Sequence, residues 1–216
     1  MTGVAATANT IGMIFECGPE GADRQVCEYL AKHIRPGIEI RSRTLGSKVD
    51  LLRDAGIAAA LLLKDGCACV MVVWDLRPAW PDKTNRPCRH DERQTVLMRL
   101  AEAGVSPHAP VYLICIEQEL ESWLLANERA INALLSTPTH PYVGSKVKVP
   151  DSVVQPKSEM LKHFKKARGW RYDDKVDAIR VLKASAIDMQ RMRRSTSFAR
   201  FEAKLLACGI PRILNV

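Results

Sequence analysis

Three short apolar runs, each followed directly by an acidic residue, are the feature that most constrains how this chain can fold. The runs cover residues 11–15, 69–74 and 110–116, and the acids that follow them are Glu16, Asp75 and Glu117. Almost every position in these runs is apolar. That pattern is typical of central strands in a parallel sheet, because such strands are covered on both faces.

Segments with helical periodicity separate the runs. We expect helices between Asp23 and Ile34, from Gly46 to Lys64 and from Asp91 to Ala103, and an edge strand over Ile38 to Arg43, where apolar and basic residues alternate. Strands that alternate with helices indicate a parallel sheet with helices on both faces. The predicted fold class is therefore α/β, a Rossmann-like three-layer domain.

The 216 residues fit one domain with a helical extension. Residues 1–10 are small and polar and are expected to form a loose lead-in. Residues 11–136 are predicted to form the α/β domain, and residues 137–216 a basic, mainly helical C-terminal region packed on it. No apolar run reaches the ~18–20 residues of a membrane span, so we expect no membrane association.

The seven cysteines form no CxxC pair, and no secretory signal precedes them. We therefore expect reduced thiols in the cytoplasm. Cys88 and His90 resemble half of a zinc site, but no matching second pair exists, and structural zinc needs four ligands. Zinc is not expected.

The basic character lies in the last third of the chain. The net charge is +8, and residues 146–200 hold 15 Lys and Arg against six Asp and Glu. Lys and Arg neutralise phosphates, and aromatic residues such as Phe164 and Trp170 can stack on unpaired bases. The candidate nucleic-acid contacts are Lys162, Lys165, Lys166, Arg168, Arg171, Arg193 and Arg194. The alternative is a solvated helix face with core aromatic residues.

The acids at the strand ends indicate a metal site. In open parallel sheets, ligands bind beyond the carboxyl ends of the strands. If the strands before Glu16 and Asp75 are neighbours, their carboxylates converge, and a hard cation such as Mg²⁺ or Mn²⁺ relieves the repulsion between them. The alternative is that each acid caps a helix or faces solvent. Glu117 and Glu121 are also candidates, because we expect them on one face of the next helix.

Other catalytic motifs are missing from the sequence. Gly46-Ser47-Lys48 and Gly144-Ser145-Lys146 lack the first glycine of a phosphate-binding loop, and no GxSxG segment occurs.

Residues 119–127, Glu-Leu-Glu-Ser-Trp-Leu-Leu-Ala-Asn, resemble a segment of a family of small bacterial proteins of unknown function with a TOPRIM-like (topoisomerase–primase) fold. Many members lie near phage-defence genes. The family segment commonly reads Glu-Ala-Trp-Phe/Leu-Leu-Ala-Asp, so Glu121 and Trp123 match and Asn127 replaces Asp. Residues 156–161 and 195–201 are also similar to family segments.

The resemblance implies a Mg²⁺ site built from a first-strand Glu, here Glu16, and an Asp-x-Asp after the third strand. The sequence departs from that pattern, because Arg77 stands where the second Asp is expected; Asp82, Glu117 or Glu121 can substitute. After Glu16, either Glu20 or Asp23 can fill a further acidic role. Lys157 is implied as a charged contact near the acids.

Two functions follow as hypotheses. The first is a Mg²⁺-dependent TOPRIM-like nuclease, with Glu16, Asp75, Glu121 and Lys157 as catalytic residues and Glu16, Glu20, Asp23, Asp75 and Glu121 as metal ligands. The second is a non-catalytic adaptor that keeps the fold and binds nucleic acid or a protein. A separate ATPase partner is expected in either case, because the chain has no ATP-binding motif. The sequence leaves open whether the protein forms homo-oligomers.

Overall fold

Four parallel strands form the centre of the molecule in the computed structural model, which describes residues 9–79, 84 and 86–209. The strands of this described part are β1 (Thr10–Phe15), β2 (Glu39–Thr44), β3 (Cys69–Asp75) and β4 (Val111–Ile116). Their order in the sheet is β2-β1-β3-β4, so β1 and β3 are neighbours in the centre. Side chains of β2 alternate between exposed and half-buried, as an edge strand requires.

Helices cover both faces of the sheet, which confirms the predicted three-layer α/β fold. Helix α2 (Lys48–Lys64) and helix α3 (Arg89–Glu102) pack on one face around Leu51, Val72 and Trp74. Helix α1 (Ala22–Ile34) lies on the other face.

Further helices extend the core on the α1 side of the sheet. Within the predicted α/β domain these are α4 (Glu121–Leu125) and α5 (Glu128–Leu135), and in the C-terminal region they are α6 (Pro156–Arg168), α7 (Asp174–Lys183), α8 (Met189–Met192) and α9 (Thr196–Ala207), with a short 3₁₀ helix over Pro150–Ser152. Trp123 is fully buried among Phe198 and Phe201, and its indole N–H donates to Ser197 Oγ at 2.8 Å. These helices therefore share one hydrophobic core with α1 and the sheet.

Two features of the turns position the acids. Helix α1 begins after Gly21, which has no side chain to cap it, and the helix carries Asp23 in its first turn. A Cβ at Gly21 would collide with the Cys17 side chain, which keeps this turn tight.

The expectation that Glu117 and Glu121 share a helix face is wrong. Gln118 adopts a left-handed conformation with φ 69°, and α4 begins only at Glu121. The backbone N–H of Arg77 donates to the Gln118 carbonyl, which holds this segment as a loop.

The expectation that all thiols are reduced is wrong for two cysteines. Cys69 begins β3, Cys208 caps α9, and the two form a disulfide with Cα atoms 5.7 Å apart. They are 139 residues apart in the sequence, so spacing gave no sign of the pairing. The other five cysteines are free.

Within the described residues, no helix combines the length and apolar character needed to cross a membrane.

The contact between α2 and α3 gives a test of the fold. Gly56 faces α3 so closely that a Cβ there would collide with the Arg99 carbonyl, which is backbone and cannot rotate away. We expect Gly56→Ala to lower the free energy of unfolding by about 1–3 kcal/mol, although alanine favours helix by about 1 kcal/mol over glycine. Gly18→Ala is the control, because a Cβ there has no atom within 4 Å. Equal stability of the two variants in urea unfolding would contradict the packing.

Candidate metal centre

Three carboxylates from separate segments meet at the carboxyl end of the central strands. Glu16 follows β1, Asp75 ends β3, and Asp23 lies in the first turn of α1. One carboxylate oxygen from each lies within 4.8 Å of the other two. The neighbouring pairing of β1 and β3, with Phe15 beside Val73, brings the first two together.

The backbone satisfies only half of the oxygens of Glu16 and Asp75. The N–H of Asp75 donates to Glu16 Oε1 at 3.2 Å, and the N–H of Leu120 donates to Asp75 Oδ2 at 3.3 Å. The remaining oxygens, Glu16 Oε2 and Asp75 Oδ1, are shielded from solvent and accept no hydrogen bond from the described residues. A buried charged oxygen without a partner is unfavourable, so these two atoms fit the role of ligands to a cation.

The electrostatics of this acid cluster (Glu16, Asp23 and Asp75) disfavour three negative charges. Burial raises the pKa of Glu16 to about 8, partly offset by Lys48, and Asp23 raises it further. Burial, followed by repulsion from Asp23 and Glu16, raises the pKa of Asp75 well above its usual range. Burial and the charge of Asp174 raise the pKa of Asp23 to about 6. Without a cation, the cluster therefore binds protons near neutral pH.

Lys48 lies beside the cluster, and the sequence did not point to it. Its ammonium donates to the carbonyls of Leu76 at 2.9 Å and Pro78 at 2.7 Å and pairs with Glu92 at 3.2 Å. The other Glu92 oxygen accepts from the Trp74 indole at 2.8 Å. This buried network fixes the chain after β3. The available signal was a lysine directly after the helix-capping residue Ser47, at the first position of α2.

An open pocket of about 330 Å³ leads to the acids. The turn after β1, the start of α2 and the loop after β3 line it, including Glu16, Asp23, Lys48 and Pro78. The pocket therefore reaches the Glu16 and Asp23 side of the cluster, whereas Asp75 lies behind it.

Glu121 and Lys157 form a second layer next to the acid cluster. Glu121 is buried, accepts from the Tyr172 hydroxyl at 3.2 Å, and has a pKa raised to about 7 by burial. Its charge is one of those that raise the pKa of Asp75. The Lys157 ammonium pairs with Asp174 at 2.8 Å, and its positive charge lowers the pKa values of Asp23 and Glu121.

The structure separates the remaining acidic candidates from the cluster. Glu20 is exposed and is not part of the cluster, so Asp23 is the acid after Glu16 that joins it. Glu117 accepts from Arg89 at 2.6 Å and Arg200 at 2.8 Å. Asp82 lies outside the described residues. Arg77 donates to the Gln118 side chain at 2.6 Å, in the place where the resemblance implies a second Asp.

Three of the residues predicted to contact nucleic acid are engaged in hydrogen bonds within the protein. Arg168 donates to the carbonyls of Leu135 and Ser136, Arg193 makes two 2.7 Å bonds to Glu202, and Arg194 donates to Glu128 and the Val147 carbonyl. Such contacts fasten the C-terminal helices and leave these arginines with fewer free donors.

The other four candidates are exposed: Lys162, Lys165, Lys166 and Arg171. Lys162 pairs with Glu159 on the same helix at 2.8 Å. Exposed cations of this kind remain available to a polyanion.

Comparison with protein-family models matches most of the chain to a known family. A family model described as a domain of unknown function, DUF4276, covers residues 21–206. The chain belongs to this family. The match includes Asp23, Asp75, Glu121 and Lys157 but begins after Glu16. No curated protein and no solved structure matches the chain, so functional inference rests on the geometry.

The raised pKa values predict how stability changes with pH. Glu16 titrates near 4.5 when unfolded and near 8 when folded, so between these values the folded state holds a proton that the unfolded chain releases. The stabilisation is complete below about pH 4.5 and is lost as the pH rises through about 8. In the presence of chelator, we expect Glu16→Gln, which does not titrate, to gain stability relative to wild type by a few kcal/mol over this range.

Thermal unfolding of both proteins between pH 5 and about pH 8 measures this difference. Glu20→Gln is the matched control, because Glu20 is exposed and outside the cluster, and it should show no such trend. A stability difference between wild type and Glu16→Gln that stays constant with pH would contradict the buried-acid geometry.

Proposed function

We propose that this protein is a Mg²⁺- or Mn²⁺-dependent, TOPRIM-like nuclease that cleaves nucleic-acid phosphodiester bonds. The observation that carries the proposal is the convergence of Glu16, Asp23 and Asp75, with two shielded oxygens that lack partners. Mg²⁺ prefers oxygen ligands and is commonly bound by one or two carboxylates together with substrate phosphate. When bound, a divalent cation supplies Lewis-acid stabilisation of negative charge on the phosphoryl group.

The surrounding residues fit supporting roles in this proposal. Glu121 is buried, and its pKa of about 7 lets it hold or accept a proton near neutral pH. Lys157 carries a half-exposed ammonium beside the acids, suited to contact a phosphate. Lys48 fixes the carbonyls that follow β3, which keeps Asp75 in place.

The basic helix α6 supplies a path for a nucleic-acid backbone. Lys157 lies in its first turn, and Lys162, Lys165 and Lys166 follow on the same helix. With a rise of about 1.5 Å per residue, these three lie about 7 to 14 Å further along the helix axis. They are also turned by about 80° to 180° around the axis from Lys157, so a backbone that contacts all of them would cross α6 rather than follow one of its faces.

An adaptor function is the second candidate. The observation that favours it is Arg77, which stands two positions after Asp75 and donates to Gln118, where the resembling family carries an acid. In that case the protein binds nucleic acid or a protein partner without cleaving. A cytoplasmic location belongs to both proposals. The role in anti-phage defence rests on the resemblance alone, and the separate ATPase partner is proposed because the sequence has no ATP-binding motif.

A cleavage assay with the full chain tests the nuclease. Single- and double-stranded DNA and RNA are incubated with Mg²⁺ or Mn²⁺, and cleavage is expected to stop in chelator. Glu16→Gln and Asp75→Asn keep the shape of the side chains but remove the charge. We expect each to reduce the rate by at least about 100-fold, which corresponds to about 2.7 kcal/mol.

The controls separate the candidate functions. Glu20→Gln removes one nearby charge outside the cluster and should leave the rate unchanged. Cleavage that survives both Glu16→Gln and Asp75→Asn would refute the metal-site proposal and would indicate a contaminating nuclease or another site. Nucleic-acid binding without cleavage in either metal would favour the adaptor.

A further inference from the structure

A second pocket, of about 320 Å³, lies at the open edge of β4 between α3 and α9. Four cationic side chains line it: Arg89 and Arg93 from α3, and Arg200 and Lys204 from α9. Trp74 and Cys115 form part of the wall. None of these cations was among the residues that we selected from the sequence, and none lies in the acid cluster.

The pocket holds more positive than negative charge. Glu117 is the carboxylate paired with its lining, and a single oxygen of it accepts from both Arg89 and Arg200. Within the part of the chain that the structure describes, Arg93 makes no ion pair. Four cations against one carboxylate leave a formal charge of +3 in a partly enclosed space.

Covering the strand edge explains only part of this arrangement. Lys204 donates to the Leu113 carbonyl at 2.6 Å, and Arg200 donates to the Cys115 carbonyl at 3.4 Å, so both cap free acceptors of the edge strand. Among the residues that the structure describes, Arg89 and Arg93 donate to no strand carbonyl. Burial, with repulsion from Arg93, Arg200 and Arg89, lowers the pKa of Lys204 to about 8. The side chains that line the pocket are therefore short of negative charge.

We infer that this edge pocket binds a phosphate monoester or diphosphate group through Arg89, Arg93, Arg200 and Lys204. Guanidinium groups match phosphate oxygens with paired donors, and three of them with an ammonium suit a group of charge −2 or more better than a bridging phosphodiester of charge −1. The pocket volume is in the range of sites that take nucleotide-sized ligands. The inference does not depend on the metal site or on cleavage.

Calorimetric titration in the presence of a chelator tests the pocket without the acid cluster. The probes are inorganic phosphate, pyrophosphate, and one short single-stranded oligonucleotide carrying either a 5′-phosphate or a 5′-hydroxyl. Arg93→Gln is the test variant, because Arg93 is exposed and forms no ion pair with the described residues. Arg129→Gln is the control, since Arg129 is an exposed helical arginine that does not line the pocket.

We expect Arg93→Gln to weaken binding of the phosphorylated probes about tenfold or more, and Arg129→Gln to leave it unchanged. A strong preference for the 5′-phosphate form over its 5′-hydroxyl form would identify a strand end as the source. If pyrophosphate binds as tightly as the 5′-phosphorylated oligonucleotide, the ligand would be a small phosphate compound. Either result supports phosphate binding in the edge pocket. Failure of every probe to bind wild type, or equal losses in the two variants, would overturn the inference.

Discussion

The parallel register between β1 and β3 is the constraint on which the acid cluster depends. Because Phe15 pairs with Val73, Glu16 directly after β1 and Asp75 at the end of β3 lie at the same end of the sheet, and the tight turn at Gly21 brings in Asp23. The nearby cations do not neutralise this cluster. The Lys48 ammonium is held by two backbone carbonyls and by Glu92, and the Lys157 ammonium is paired with Asp174. The fold therefore concentrates acids without enough cations to neutralise them, so that near neutral pH the cluster binds protons unless a metal takes their place.

The strands and their terminal acids could be predicted from the sequence, since burial on both faces leaves a continuous apolar pattern. The order of the strands in the sheet could not be predicted, because a crossover connection of similar length can place the next strand on either side of the previous one. The choice of Asp23 over Glu20 depends on the residue at which α1 begins, and Gly21 gives no side-chain cap to mark it. Lys48 escaped notice because its burial arises from the loop after β3, which is distant in sequence.

Local charge counts were a poor guide to the basic surfaces. The C-terminal third has the largest excess of Lys and Arg, yet Arg168, Arg193 and Arg194 are engaged in fastening helices. Arg89 and Arg93 of the edge pocket come from a segment that also contains Asp91 and Glu92. The net charge of this segment is therefore zero when it is counted along the sequence. Folding separates these charges, because Glu92 is buried against Lys48 and Trp74 whereas Arg93 is exposed.

The same sequence feature, an acid after a buried strand, has opposite surroundings at the centre and at the edge of the sheet. Glu16 and Asp75 follow central strands and meet other acids, whereas Glu117 follows the edge strand and meets Arg89 and Arg200. A phosphate-bearing ligand is therefore attracted at the β4 edge by the protein alone, but not at the centre, where Glu16 and Asp75 hold protons near neutral pH. A divalent cation in the acid cluster would bring positive charge to the centre, so that the two sites would attract the same kind of ligand only when the metal is bound.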